Sequence, residues 1–316
     1  MDHVLLLGGA GYLGSVMARM MLDRGYSVTI VDNLRYNQAL ALAACCADPR
    51  FELVRGDMRD AMTLRPLVAR ADAVVNLAAI VGAPACDADS AAAVSTNRDA
   101  VRTLVGLLSP RQLLIYPNTN SAYGTGGAEP LTEDAPQRPL SLYARTKCEG
   151  EAVVLEHPNA VVFRLATVMG ASPRMRTDLL VNDFVLKAAR GEAVALYDGA
   201  ARRNFVHVRD VADAILWAID PPRVIWKGLP SAERIFNLGN DEANITKRGL
   251  CEAIRTRVPG FRWFEVEGRD PDARDYLVSN KRLAAAGFRA RRGLVEGIDE
   301  LLKLYAAFPR HQWGNV

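Results

Sequence analysis

The stretch Val4-Leu5-Leu6-Leu7-Gly8-Gly9-Ala10-Gly11-Tyr12-Leu13-Gly14 decides the fold. An apolar run suited to one buried strand stops at a glycine cluster, and the helical pattern Tyr12–Arg24 comes directly after it. Glycines at such a junction let the backbone turn tightly, bring N–H groups against a pyrophosphate at the positive helix end, and let the helix lie close on the sheet. The spacing reads either as Gly9-x-Gly11-x-x-Gly14 or as Gly8-x-x-Gly11-x-x-Gly14. Both readings predict a dinucleotide held by Gly8, Gly11, Tyr12, Leu13 and Gly14. Asp32 ends the next apolar run, roughly 20 residues past the loop, where a carboxylate accepts hydrogen bonds from ribose hydroxyls and repels a 2′-phosphate. NAD is therefore expected over NADP, although Arg35 stands close enough to bind a phosphate. Asn33 and Leu34 complete that turn.

Outward from this unit, short apolar runs alternate with helical patterns, the signature of a parallel sheet wrapped by helices. Strands are expected at His3–Leu7, Val28–Val31, Phe51–Val54, Ala73–Leu77, Leu113–Tyr116 and Ala160–Arg164, with helices at Tyr12–Arg24, Ala61–Ala69, Ser90–Leu108 and Leu142–Glu156. The fold class is α/β: a Rossmann-like, doubly wound parallel sheet with a smaller, interleaved C-terminal α/β substrate domain. After Leu165 the pattern loosens, and Ala171–Arg176 reads as a loop. Phe205–Val208, the helix Arg209–Ile219 and Ile235–Leu238 look like a return to the sheet. The boundaries are set at 1–168 with 205–241 for the dinucleotide domain, and 169–204 with 242–316 for the substrate domain. Asp220-Pro221-Pro222 ends a helix, Thr246–Val258 restarts one, and Leu294–Ala307 supplies a last amphipathic helix.

Composition narrows the class. The 316 residues are 50% hydrophobic, ample for a buried core, and 39 Lys plus Arg against 36 Asp plus Glu give a net charge of +3. Such a balance offers no footprint for nucleic acid or an anionic membrane. The five cysteines include no Cys-x-x-Cys pair, and the four histidines form no metal cluster, so no metal is expected. Asp2 and His3 lead straight into the first strand and no apolar run approaches bilayer length, so a cytoplasmic location is expected.

Chemistry enters at the strand tops. Gly56-Asp57-Met58 comes after the third strand, and Asp57 is placed to meet an adenine amino group; Asn76-Leu77-Ala78-Ala79 follows or ends the fourth, where the small Ala78 and Ala79 admit the cofactor to the backbone. Tyr143 and Lys147 are four residues apart on one expected helix, so they share a face. A phenol has a reference pKa of about 10, but an adjacent ammonium and a cationic nicotinamide stabilise its phenolate. Tyr143 can then serve as general base, while the Thr119 hydroxyl, just past the fifth strand, holds the substrate oxygen.

With these residues in place, the chain resembles the extended short-chain dehydrogenase/reductase family, in its NAD-dependent nucleotide-sugar epimerase and dehydratase branch. The resemblance spans essentially the whole chain. It is carried by Gly8–Gly14, Asp32-Asn33-Leu34, Gly56-Asp57, Asn76–Ala79, Asn97, Thr119–Gly124, Tyr143–Lys147 and Arg203–Ala212. It implies Tyr143 as general base, Lys147 on the nicotinamide ribose, Thr119 as third member and Asn97 near the cofactor. The implied chemistry begins by oxidising a sugar hydroxyl, commonly at C4, to a ketone with hydride transfer to NAD; an epimerase returns the hydride to the other face. A 4,6-dehydratase carries an Asp-Glu pair directly after the catalytic Thr. Here Asn120 and Ser121 stand there, which disfavours dehydration.

The resemblance also places arginines on the nucleotide's diphosphate, at Arg203 and at Arg274 within Asp272-Ala273-Arg274-Asp275-Tyr276. Guanidinium forks suit phosphate oxygens. Asn182 can add an amide to the same group, with Asn120 and Ser121 beside the sugar, while Arg174 and Arg176 decorate the preceding loop. His207 and Asp210 read as structural ties. The expected activity is a nucleotide-sugar epimerase. The alternatives are a ketoreductase or dehydrogenase of the same substrate class and, more remotely, a non-catalytic dinucleotide-binding protein, although such proteins typically lose the Tyr or the Lys. By the same analogy the chain dimerises with itself through Ser90–Leu108 and Leu142–Glu156.

Overall fold

The computed structural model describes residues 2–37, 39–220, 226, 228–267 and 274–307. Pro221-Pro222 and Asp272-Ala273, named above, lie outside the described residues. In chain order the strands and helices are β1 (His3–Leu7), α1 (Tyr12–Asp23), β2 (Ser27–Asp32), β3 (Phe51–Arg55), α2 (Ala61–Arg70), β4 (Ala73–Asn76), α3 (Ala83–Ala88) and α4 (Ser90–Val94). After a π-helical turn, Ser95–Asp99, come α5 (Ala100–Leu107), β5 (Leu113–Thr119), α6 (Leu142–Leu155), β6 (Ala160–Leu165), β7 (Thr167–Met169), α7 (Leu180–Ala189) and β8 (Val194–Leu196). The chain continues through β9 (Arg202–His207), α8 (Val208–Ile219), β10 (Ile235–Leu238), β11 (Asn244–Thr246), α9 (Lys247–Arg255), β12 (Trp263–Glu265), α10 (Lys281–Ala285) and α11 (Leu294–Ala307).

Among the described residues, seven strands form one sheet in the order β10-β6-β5-β4-β1-β2-β3, and every neighbouring pair is parallel. This is the expected α/β Rossmann-like sheet. Its order reverses between β1 and β4, which opens a crevice outside the carboxyl ends of the strands. Both faces are apolar: Leu6, Ile30 and Phe163 meet α1 and α8 on one side, while Leu7, Tyr116 and Val162 meet α2, α5 and α6 on the other. Strands buried on two faces read as continuous apolar runs, which is why β1, β4 and β5 stand out in the sequence.

One expectation needs correction. Phe205–Val208 does not rejoin the main sheet; β9 pairs with β7 and β11 in a separate three-stranded sheet. The place beside β6 is taken by β10, so β9 pairs instead with β7, the strand that leaves the sheet directly after β6. Helix α8 then returns to pack on α1, burying Val211, Ala212 and Ile215 with Met17 and Met21. The single helix expected over Ser90–Leu108 is divided by the π turn, and α3 precedes it. Among the described residues no helix is long and apolar enough to cross a membrane.

Candidate active site

A cleft of about 720 Å³ lies along the carboxyl ends of β1, β2, β4, β5 and β6. The glycine loop is built so that only backbone fits. Gly8 has φ +75°, and a Cβ there would come within 2.6 Å of Ala78 backbone atoms; one on Gly14 would meet the Gly9 carbonyl at 2.4 Å. Gly11 begins α1 without a side chain to cap it, which leaves the first-turn N–H groups for an anion. Asp32 is anchored across the loop, accepting from Ala10 N at 3.0 Å and Leu34 N at 2.8 Å. Burial raises its pKa, and these backbone donors offset the rise only in part. Leu34 is held at φ +55°, a left-handed conformation in a bulky residue, so local strain sits where the adenosine would lie. Leu13, Asn33, Asp57, Met58, Leu77 and Ala79 line the same cleft. Asp57 is occupied by Arg59 at 2.8 Å and Asn33 at 3.2 Å, and the Arg59 pair holds its carboxyl below the ordinary range. These residues fit a dinucleotide.

Thr119, Tyr143 and Lys147 reach the same cleft from β5 and α6. Ser141 caps α6, accepting from Ala144 N at 3.2 Å, which fixes the turn that presents Tyr143. Burial dominates the acid–base character of the pair. It pushes the Tyr143 hydroxyl up to about 12, against the lowering charges of Arg176 and Arg274, and pulls Lys147 down to about 7, against the raising charge of Glu151. The tyrosine of the ligand-free protein is therefore protonated at neutral pH. The Thr119 hydroxyl donates to Ser121 Oγ at 2.9 Å and accepts from Ser121 N at 3.1 Å. Arg274 donates to the same Ser121 hydroxyl, and Arg203 donates to the Arg274 carbonyl. Ser121, Arg203 and Arg274 all line the cleft, at the end past Thr119.

Three expected site residues turn away from it. Asn97 is buried, donating to the Ile80 carbonyl at 2.9 Å and accepting from Ile80 N at 2.8 Å, so its amide holds the segment after β4. Asn182 is fully enclosed, accepting from Gly170 N at 3.1 Å and donating to the Arg176 carbonyl at 2.8 Å and to Tyr12 Oη at 3.3 Å. Asn120 is also fully buried, in the short 3-10 turn after β5, and is not among the cleft residues. His207 bonds Glu300 at 2.6 Å and Asp210 bonds Arg292 at 2.7 Å, ties within the fold.

Sequence reasoning missed the polar scaffold behind Thr119. Arg164 of β6 pairs with Glu151 of α6 at 2.6 Å, both almost wholly buried, and also donates to Tyr123 Oη at 2.9 Å. Glu151 accepts from Asn118 and from Gln137, and Tyr123 donates to Asn237 at 2.6 Å. The only signal in the sequence is a charged residue inside an apolar strand pattern. Arg174, Arg176, Lys247 and Tyr276 also line the cleft. Among the described residues there is no group of His, Cys, Asp and Glu suited to a metal ion.

A dinucleotide crevice lined by a Tyr-x-x-x-Lys pair defines a hydride-transfer enzyme of the short-chain dehydrogenase/reductase class. Residues 4–239 match the model of the NAD dependent epimerase/dehydratase family. The chain belongs to that family, in the extended branch of the class, and is an NAD-dependent enzyme of this kind. Among relatives, it is 29% identical over 320 residues to a dTDP-glucose 4,6-dehydratase of Streptomyces griseus, covering 96% of this chain and 94% of the relative. It is 28% identical over 282 residues to a UDP-glucose 4-epimerase of Corynebacterium glutamicum, covering 79% and 80%. The fold superposes with a TM-score of 0.81 on a UDP-glucose 4-epimerase of Thermus thermophilus solved with NAD, at 24% identity over 96% of this chain and 99% of the other.

Proposed function

We propose that the protein is a nucleotide-sugar epimerase that oxidises a sugar hydroxyl, at C4, to a ketone and returns the hydride to the other face. The carrying observation is the pair of residues directly after Thr119: Asn120, buried away from the cleft, and Ser121, a hydroxyl, stand in place of an acid–base pair. Tyr143 Oη takes the hydroxyl proton and gives it back, and the Thr119 hydroxyl holds the sugar oxygen. Bound NAD supplies the hydride acceptor and donor. The Arg176 and Arg274 charges favour the phenolate as the proton leaves, and we assign the Lys147 ammonium, one helical turn away, to the same task. Arg203 and Arg274 both line the cleft, which supports their assignment to a diphosphate.

Incubation with UDP- and dTDP-hexoses, without added cofactor, tests this reading. Isomerisation supports it; stoichiometric change in NADH identifies a ketoreductase or dehydrogenase instead, and a 4-keto-6-deoxy product identifies a dehydratase. Any of the three turnovers rules out the remote alternative of a non-catalytic dinucleotide-binding protein. We place the enzyme in the cytoplasm, where its five free cysteines stay reduced. We also assign a homodimer through α5 and α6, which sedimentation of the purified protein tests.

A further inference from the structure

The loop between β7 and α7 belongs to the chain's second half yet is fastened to the glycine-loop helix. Tyr12 Oη donates to the Gly170 carbonyl at 2.6 Å, and Ser172 Oγ donates to the Tyr12 carbonyl at 2.8 Å. Ser172 Oγ also meets Ser15 Oγ at 3.0 Å, and Arg174 N donates to Ser15 Oγ at 3.3 Å. Arg174 thus leaves the backbone beside the first turn of α1, the turn whose N–H groups face an anion. Its guanidinium carbon lies 4.8 Å from the centroid of the Tyr36 ring. Tyr36 comes shortly after Asp32-Asn33-Leu34 on the adenosine side of the crevice, and both Arg174 and Tyr36 line the cleft. The side chain therefore runs between the two places where a dinucleotide's pyrophosphate and adenosine ribose lie. Arg174 is only 3% exposed, and the charges of Asp178 and Asp32 act on it, which places its guanidinium on the Asp32 side of the crevice. The substrate-end arginines, Arg203 and Arg274, gather instead around Ser121, past Thr119.

We infer that Arg174, stacked on Tyr36 and fastened through its loop to α1, is a clamp on the pyrophosphate–adenosine end of NAD that holds the cofactor in place from one turnover to the next. The clamp supplies what an enzyme that regenerates its own NAD requires, and so deepens the epimerase reading. Arg174 is a cofactor-holding residue, assigned to the dinucleotide and not to the sugar nucleotide's phosphates. Two elements act together: the charge meets phosphate oxygens and the ring keeps the guanidinium from swinging out.

The experiment measures release of NAD from the purified holoenzyme, with no sugar present, by trapping the freed cofactor with an NAD-dependent indicator enzyme. Arg174→Ala is expected to speed release about tenfold or more, with Arg174→Lys in between because it keeps charge but not stacking. Tyr36→Ala is expected to share part of the effect and Tyr36→Phe to show none. Wild-type release from a folded Arg174→Ala protein overturns the clamp. So does a variant whose nucleotide-sugar affinity falls while its NAD release is unchanged. Should Arg174→Ala not fold, Tyr36→Ala decides by the same readout. Because no sugar is present, a chain that releases NAD as expected but fails to isomerise any sugar nucleotide keeps the clamp and loses the epimerase reading.

Discussion

The ammonium of Lys147 lies 3.8 Å from the centroid of the Tyr116 ring. Tyr116 is fully buried in β5, and its hydroxyl donates to the Lys147 carbonyl at 3.4 Å. One ring therefore supports the Lys147 cation by its face and the helix carrying it by its edge. Tyr116→Phe keeps the face and should leave turnover within about threefold. Tyr116→Leu removes it, at a site where a desolvated cation–π contact contributes about 2 kcal/mol, and should lower turnover about tenfold or more. Steady-state rates of the two variants check this; equal rates would show that the ring does no more than fill space.

Lys147 makes stability depend on pH. Its pKa falls from 10.5 in the unfolded chain to about 7 in the fold, because burial disfavours the charge. Below pH 7 both states carry the proton and the burial cost is at its full size. Between about 7 and 10.5 the unfolded chain binds more protons, so stability rises with pH. Cofactor-free Lys147→Met, though inactive, should be more stable than the parent at pH 6, by on the order of a few kcal/mol, and this advantage should shrink towards pH 10. Thermal melts at several pH values measure it, and a gap independent of pH contradicts it.

Tyr143→Phe deletes the one hydroxyl assigned to carry the proton. Turnover should fall by about 10³-fold, while NAD content and melting temperature stay at parental values. A variant that turns over at the parental rate would remove Tyr143 from the chemistry.

Gly14→Ala places a methyl group 2.4 Å from the Gly9 carbonyl, backbone against backbone. The loop must shift, at a cost of about 1–3 kcal/mol, and the protein should purify with little NAD. Cofactor absorbance per mole of protein is the direct assay; full occupancy would mean that the loop yields without losing its shape.

Arg164→Met leaves Glu151 buried without its ion pair. Loss of one partner in such a pair costs about 3–5 kcal/mol, and the double variant Arg164→Met with Glu151→Gln should recover part of it. Urea denaturation of the single and double variants compares the two. A single variant as stable as the parent would place water at the pair.

What could be read from the sequence was what local geometry dictates. Gly8 to Gly14 must take these conformations wherever a strand meets a helix so closely, Asp32 ends its strand, and Tyr143 with Lys147 share a helix face by spacing alone. The amides escaped. Asn97, Asn120 and Asn182 carry the same chemistry whether they point at a ligand or at a backbone carbonyl, and only tertiary neighbours decide which. The Arg164–Glu151 pair joins a strand to a helix, so no periodicity announces it. β9 misled because an apolar strand pattern does not say which sheet has a vacant edge.

The placement of β10 has a consequence for how the molecule comes into being. This border strand of the main sheet is synthesised only after β7, β8, β9 and α8, and the chain then departs again for β11, α9 and β12. The main sheet is therefore assembled from two separated stretches of polypeptide. Such long-range pairings close slowly, and a nascent chain on the ribosome has no working crevice until almost its last helix has emerged.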